Sequence, residues 1–268
     1  MNLQTESGLP ILLNENGLLE FQPPLEPVLP SVRKIADMRD FLFDQQASFS
    51  GGEDVYYMYR GVCLTQDKEK FKKAHLRYDL TVIKPGLLGK EFSRTIGHFH
   101  PFKPGTKIRY PEIYEVIFGR ALFEIQKMND DFTKLTEVYL IEANQGEKII
   151  FPPGFGHISI NATPQNLVLA NWLDESFESD YRPYDKYNGP AYYLMADEAG
   201  NLAIKPNKEY LNIPPLIKLK PKDLSPLGLK KSEPMYLTGQ NSPNMLQFLY
   251  QPELFADQLT IDRCYIVK

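Results

Sequence analysis

The chain has 268 residues, 43% hydrophobic and 24% charged, the make-up of an ordinary globular protein with one large domain or two small ones. A net charge of -4 and a pI near 5.7 exclude the broad basic face of a nucleic-acid binder, yet leave room for a small anion in a local pocket. No apolar run is long enough to span a bilayer, so no membrane partner is expected. The opening residues Met1 to Glu6 lack the basic start and apolar core of a signal peptide, so a cytoplasmic protein is expected.

Residues 1–30, rich in Pro, Gly, Asn and Leu without clear periodicity, read as an arm lying on the domain. Ser31 is expected to open a short helix, because Ile35, Met38 and Leu42 recur at helical spacing. From Asp54 the pattern becomes that of strands: residues 55–59, 77–83, 112–117, 121–126, 137–141, 148–151, 157–161 and 166–170. Each is short and bounded by turn chemistry such as Pro85-Gly86, Pro104-Gly105 and Gln145-Gly146. Many short strands without intervening helices predict an all-β antiparallel sandwich or barrel, and the lack of any repeat favours one barrel over two. The domain is expected over 31–213. The rhythm weakens after Gly189, and 214–268 reads as an extension packed on the barrel or on a partner subunit. Its lysines are expected to be solvated, with one more strand near Leu259 to Val267. Cys63 and Cys264 lie near no ligand-like partner, and two free thiols are expected.

Three of the four histidines fall at metal-site spacing. His98 and His100 are two apart, so extended backbone turns both imidazoles to one face. His157 follows Pro152-Pro153-Gly154-Phe155-Gly156, with Asn161 four residues on. The remaining one, His75, sits among lysines and reads as a surface residue, which leaves no histidine for a nucleophilic triad. No Gly-rich nucleotide loop is present.

With Glu112 and Gly119 added, these residues resemble the two cupin motifs: His-x-His…Glu…Gly, then Gly146…Pro152-x-Gly154-x-x-His157-x-x-x-Asn161. The first carries a longer insertion, Pro101 to Pro111. The resemblance implies a single jelly-roll barrel whose metal ligands are His98, His100, Glu112 and His157. Such a set suits one divalent ion with open positions, Fe(II) first and Mn, Ni or Zn as alternatives. Residues 81–92, Thr95 to His100, Glu112-Ile113-Tyr114 and Asp180-Tyr181 are similar to the cupin-type phosphoglucose isomerases. That narrower resemblance spans roughly residues 30 to 210. It implies a cytoplasmic homodimer of glycolysis and gluconeogenesis that interconverts glucose 6-phosphate and fructose 6-phosphate.

The same resemblance implies Thr81, Thr95 and the backbone of Gly97 near the substrate phosphate, with Tyr181 as a pocket wall. Lys84, Lys90 and Arg94 are nearby cations, ranked behind the threonines. Leu173 departs from the family near a site tyrosine. Glu112 is the expected base of an enediol route, a metal-assisted hydride shift being its rival. Tyr114 shares the Glu112 face and could orient a sugar hydroxyl or relay a proton, although barrel packing explains it equally well. A cupin dioxygenase and a non-catalytic sugar-binding barrel are the alternatives.

Overall fold

A computed structural model describes the chain from Met1 to Lys268. Its strands are β1 (Ile11–Leu13), β2 (Leu19–Phe21), β3 (Ser31–Lys34), β4 (Asp54–Tyr59), β5 (Leu76–Ile83) and β6 (Leu87–Leu88). There follow β7 (Glu91–Arg94), β8 (Glu112–Phe118), β9 (Arg120–Met128), β10 (Leu135–Asn144), β11 (Lys148–Phe151) and β12 (Phe155–Asn161). The last are β13 (Leu167–Asp174), β14 (Tyr192–Ala196), β15 (Leu202–Pro206), β16 (Leu216–Pro221) and β17 (Tyr265–Val267). One sheet runs β11-β8-β13-β5-β4-β3; the other runs β15-β14-β7-β12-β9-β10-β16-β17, with β6 beside β7. The two sheets face each other across a shared interior, where Tyr114 of the first meets Phe123 of the second. No helix is long and apolar enough to cross a membrane.

Strand alternation decides what each side chain meets. On β8, Glu112 and Tyr114 point into the gap and reach His157 and Phe123 of the opposite sheet. Glu115 points outward to Lys148. The outer side of the β8-β13-β5 region is covered by helical turns. Trp172 of β13 and Tyr78 of β5 have ring centroids 4.8 Å apart, and Tyr236, from the helix Met235–Asn241, lies 5.2 Å from Tyr78. Phe71, from the helix Lys68–Lys73, closes the cluster at 4.8 Å from Trp172. Trp172 is fully buried, its Nε1–H donating to the Met235 carbonyl at 3.0 Å. Large apolar side chains buried this way contribute roughly 1.5–3 kcal/mol each.

All eight strands expected between residues 55 and 170 are present, several extended by a few residues. Two readings are corrected. Ser31 opens β3, not a helix: Ser31 pairs with Met58 and Arg33 with Tyr56. The helical spacing of Ile35 and Met38 belongs to the 3-10 turn Ile35–Phe41, whose start is capped by Asp37 accepting the Lys34 N–H at 2.9 Å. Near the end, Ile261–Cys264 is one helical turn, because the Thr260 carbonyl takes the N–H of both Arg263 and Cys264. Only Tyr265–Val267 is strand.

In the 214–268 segment Lys218 and Lys220 are exposed, and the backbone that carries them joins the second sheet. β16 pairs in parallel with β10, Val138 opposite Leu216 through Ile141 opposite Leu219. Parallel pairing requires a long crossover, supplied here by residues 145–215, which carry β11 to β15. The N-terminal arm forms the β1–β2 hairpin, with Leu3, Leu9 and Ile11 buried in the main core.

Candidate metal centre

His157 lies in β12 opposite Ile125. His98 and His100 follow β7 in extended backbone held by isolated bridges: His98 exchanges hydrogen bonds with His157 at 3.3 and 3.1 Å, and Phe99 with Asp180 at 2.9 and 2.8 Å. Alternation then sends Phe99 to the outer cluster with Tyr184 and Ile158, and both imidazoles inward. Gly97 starts this run at φ +93°, where a Cβ would stand 2.4 Å from Ile158 Cγ1. Gly156 is needed for the same reason, since a Cβ there would stand 2.4 Å from the Phe99 ring. Glu112 opens β8 opposite Phe151, whose ring stacks on His157 at 4.2 Å.

These placements converge. Glu112 Oε2 is 3.3 Å from His100 Nε2 and 3.2 Å from His157 Nε2, and His98 Nε2 is 3.2 Å from His100 Nε2. All four ligand atoms lie within 4.8 Å of one another. Nitrogen and oxygen ligands bonded to one ion at about 2.0–2.2 Å stand roughly 3.0–3.5 Å apart, so the observed spacings fit a shared cation. The surroundings orient the donors. His100 Nδ1–H donates to the Tyr110 carbonyl at 2.9 Å, which leaves its Nε2 lone pair turned inward. Asn171 Nδ2–H donates to Glu112 Oε1 at 2.7 Å.

Glu112 Oε2 and both ring nitrogens of His157 are buried without a hydrogen-bond partner. Buried polar atoms are seldom left so, and an ion among them would complete the set. Burial pushes the Glu112 carboxyl up, but the close approach of His100 and His157 outweighs it and holds the group below its ordinary range. Burial, then His157 and His100, pushes His98 well below its ordinary value; burial likewise lowers His157. An ionised carboxylate beside neutral imidazoles is the protonation state a metal site needs.

The insertion between His100 and Glu112 folds back on itself. The Lys103 N–H donates to the Ile108 carbonyl at 2.9 Å, and Phe102 pairs with Arg109. The Arg109 guanidinium lies 4.0 Å over the Phe102 ring and donates to the His100 carbonyl at 2.8 Å. At the insertion's far end, Lys103 pairs with Glu253 of the C-terminal segment.

The other expected residues divide. Tyr114 is buried against Phe123, Phe151 and His157, with burial and then Glu112 raising its phenol well above the ordinary value. Thr81 stands opposite Met58 and Leu169 in the gap between the sheets. The Tyr181 ring lies 5.6 Å from that of His98. Thr95 is engaged with β12: its Oγ1 accepts the Ser159 N–H at 3.1 Å.

Arg94 is buried and committed to Glu91 at 2.9 Å, and Lys84 donates to the Gly51 carbonyl at 2.7 Å. Lys90 is exposed, as is His75. Asn161, the last residue of the second motif, brackets its own turn, taking both the N–H and the hydroxyl of Thr163. Leu173 packs with Tyr110 and Phe177. Cys63 and Cys264 are free. Asn171 escaped the sequence reading: only the register of β13 against β8, Asn171 opposite Tyr114, brings it to Glu112.

The family model described as glucose-6-phosphate isomerase (GPI) matches residues 32–211. The chain belongs to that family. Among the curated isomerases it resembles, that of Thermococcus litoralis is 24% identical over 189 residues, covering 69% of this chain and 90% of that one. The glucose-6-phosphate isomerase of Pyrococcus furiosus is 29% identical over 149 residues, covering 54% of this chain and 70% of that one. Recombinant oxalate oxidase in complex with glycolate superposes with a TM-score of 0.33 at 17% identity, over 46% of this chain and 51% of that one. The isomerase match stops short of β16 and everything after it, while the four converging side chains all lie within it.

Proposed function

We propose that the chain interconverts glucose 6-phosphate and fructose 6-phosphate, with His98, His100, Glu112 and His157 holding one divalent cation. The observation that carries this reading is Glu112 Oε2, buried without a hydrogen-bond partner among imidazoles in a member of this enzyme family. A divalent ion bound there supplies Lewis acidity toward the C1 and C2 oxygens of the sugar.

The protein's own groups set the route. Going from aldose to ketose, the hydrogen on C2 moves to C1 while the O2 proton is lost and O1 gains one. Tyr114, its phenol kept protonated by burial, is the group for a proton relay between those oxygens. An enediol route asks Glu112 to act as base, yet Asn171 occupies its Oε1, and its Oε2 faces His100 and His157. A carboxylate so engaged, and lowered, makes a poor base. Direct hydride transfer between C1 and C2 asks nothing of it and is the favoured route.

A coupled assay with fructose 6-phosphate tests both parts. Chelation is expected to abolish turnover, and Fe(II), Mn(II), Ni(II) or Zn(II) to restore it; His157→Ala is expected to abolish it with the fold retained. In deuterated water, product without solvent deuterium at C1 or C2 is expected for the hydride route. Turnover that survives complete removal of divalent ions would sink the metal-dependent reading.

A further inference from the structure

On the inner face of the sheet containing β8, one of two guanidinium groups is paired with a carboxylate and the other is not. Arg77 is paired with Asp79 through Nε and Nη2 at 2.9–3.0 Å, and Asp79 also takes the Gly61 N–H at 2.8 Å. Glu112 belongs to the metal centre. The edge strand β3 then adds Arg33, opposite Tyr56, while Ser31 on the same face lies opposite Met58, itself opposite Thr81. Tyr56 faces inward, since its hydroxyl accepts the Ile96 N–H from across the gap at 3.4 Å. Arg33 is half-buried next to Tyr56 and within the field of Tyr181, which borders His98.

Tyr56 is the side-chain neighbour of this guanidinium, and it leaves Nε unmatched. Arg33 has no carboxylate partner, and its Nε is buried with no acceptor. Burying such a donor unmatched is costly, and the fork of an arginine fits two oxygens of a tetrahedral oxyanion. The other cations near the cavity fit less well. Arg94 and Lys84 are committed elsewhere, and Arg60 is exposed at the rim with Nη1 on Ser31 Oγ at 3.0 Å.

We infer that Arg33 is the specificity residue that holds the substrate's phosphate, at the β3 edge of the cavity beside Tyr56 and the Thr81 row. For the owner of that phosphate the inference rests on the isomerase reading; for the anion itself it does not. The sugar then runs from Arg33 past Tyr181 toward His98, its reacting carbons at the metal end.

The test uses inorganic phosphate and metal-free, full-length protein, so that the metal end takes no part. In titration calorimetry, Arg33→Gln is expected to weaken phosphate binding about 10–100-fold, and Arg33→Lys less. In the metal-loaded enzyme, Arg33→Gln should raise KM for fructose 6-phosphate by a similar factor, with kcat and metal affinity nearly unchanged. Equal phosphate binding by wild type and Arg33→Gln, or none by wild type, overturns the inference. A wild type that binds phosphate but does not turn over fructose 6-phosphate defeats the isomerase reading and leaves the Arg33 comparison decisive. Should Arg33→Gln fail to fold, phenylglyoxal labelling of wild type settles it by peptide mass: phosphate is expected to shield Arg33, and unshielded labelling overturns the proposal.

Discussion

Two buried glutamates stand three residues apart on β8 and face opposite sides of the sheet. Glu115, on the outer side, is matched by the chain itself: Lys148 Nζ lies at 2.8 Å and the Met235 N–H at 2.7 Å. Lys148 in turn donates to the carbonyls of Lys230 and Glu233, both at 2.8 Å. Glu112, on the inner side, keeps one oxygen on Asn171 and turns the other toward imidazoles, without a hydrogen-bond partner. Burial is equal; completion is not. A buried charge finished by its own chain fastens the C-terminal segment to the barrel, whereas one left incomplete is prepared for a visitor.

Substitutions on the two sides should separate these roles. On the inner side, Glu112→Gln is expected to lower kcat about 10³-fold with no loss of stability to urea. On the outer side, Lys148→Met leaves Glu115 buried and unpaired, and is expected to cost about 3–5 kcal/mol in urea unfolding. Turnover per folded Lys148→Met molecule should stay near wild type. If Glu112→Gln unfolds the barrel while Lys148→Met silences it, the contrast is reversed and fails.

A third buried glutamate sharpens the contrast more gently. Glu124, on the outer side of β9, is pushed up to about 8 by burial, which outweighs the lowering by the Tyr192 and Ala191 N–H groups. Unfolded, it titrates near 4.5. Between those values the unfolded chain has lost a proton that the folded chain keeps, so stability falls as pH rises, by up to about 1.4 kcal/mol per unit. The contribution is full below pH 4.5 and gone above about 8. Glu124→Gln should flatten that slope in urea midpoints taken from pH 5 to 8; an unchanged slope would show that Glu124 does not hold the proton.

The barrel strands and the four converging side chains were legible because both depend on short-range regularities. Two-residue alternation fixes which way His98, His100, Glu112 and Tyr114 point, whatever the rest of the chain does. Asn171 was not legible, since its meeting with Glu112 depends on the register between β13 and β8. Arg33 was hidden by the helical spacing of Ile35 and Met38, which belongs to the 3-10 turn that follows β3. β16 was masked by prolines and exposed lysines, although its backbone pairs along four residues of β10. Thr95 and Arg94 show the converse: a residue near a motif can be spent on holding the neighbouring strand.

The insertion after His100 and the segment beyond residue 211 touch each other through Lys103 and Glu253, and Phe102, Arg109, Ala256 and Leu259 line one recess between them. One end of that same loop grips the His100 carbonyl through Arg109. A chimera that grafts the loop onto a shorter isomerase, or trims the C-terminus from this one, would therefore strand half of a matched pair. The two pieces should be transplanted together or left together.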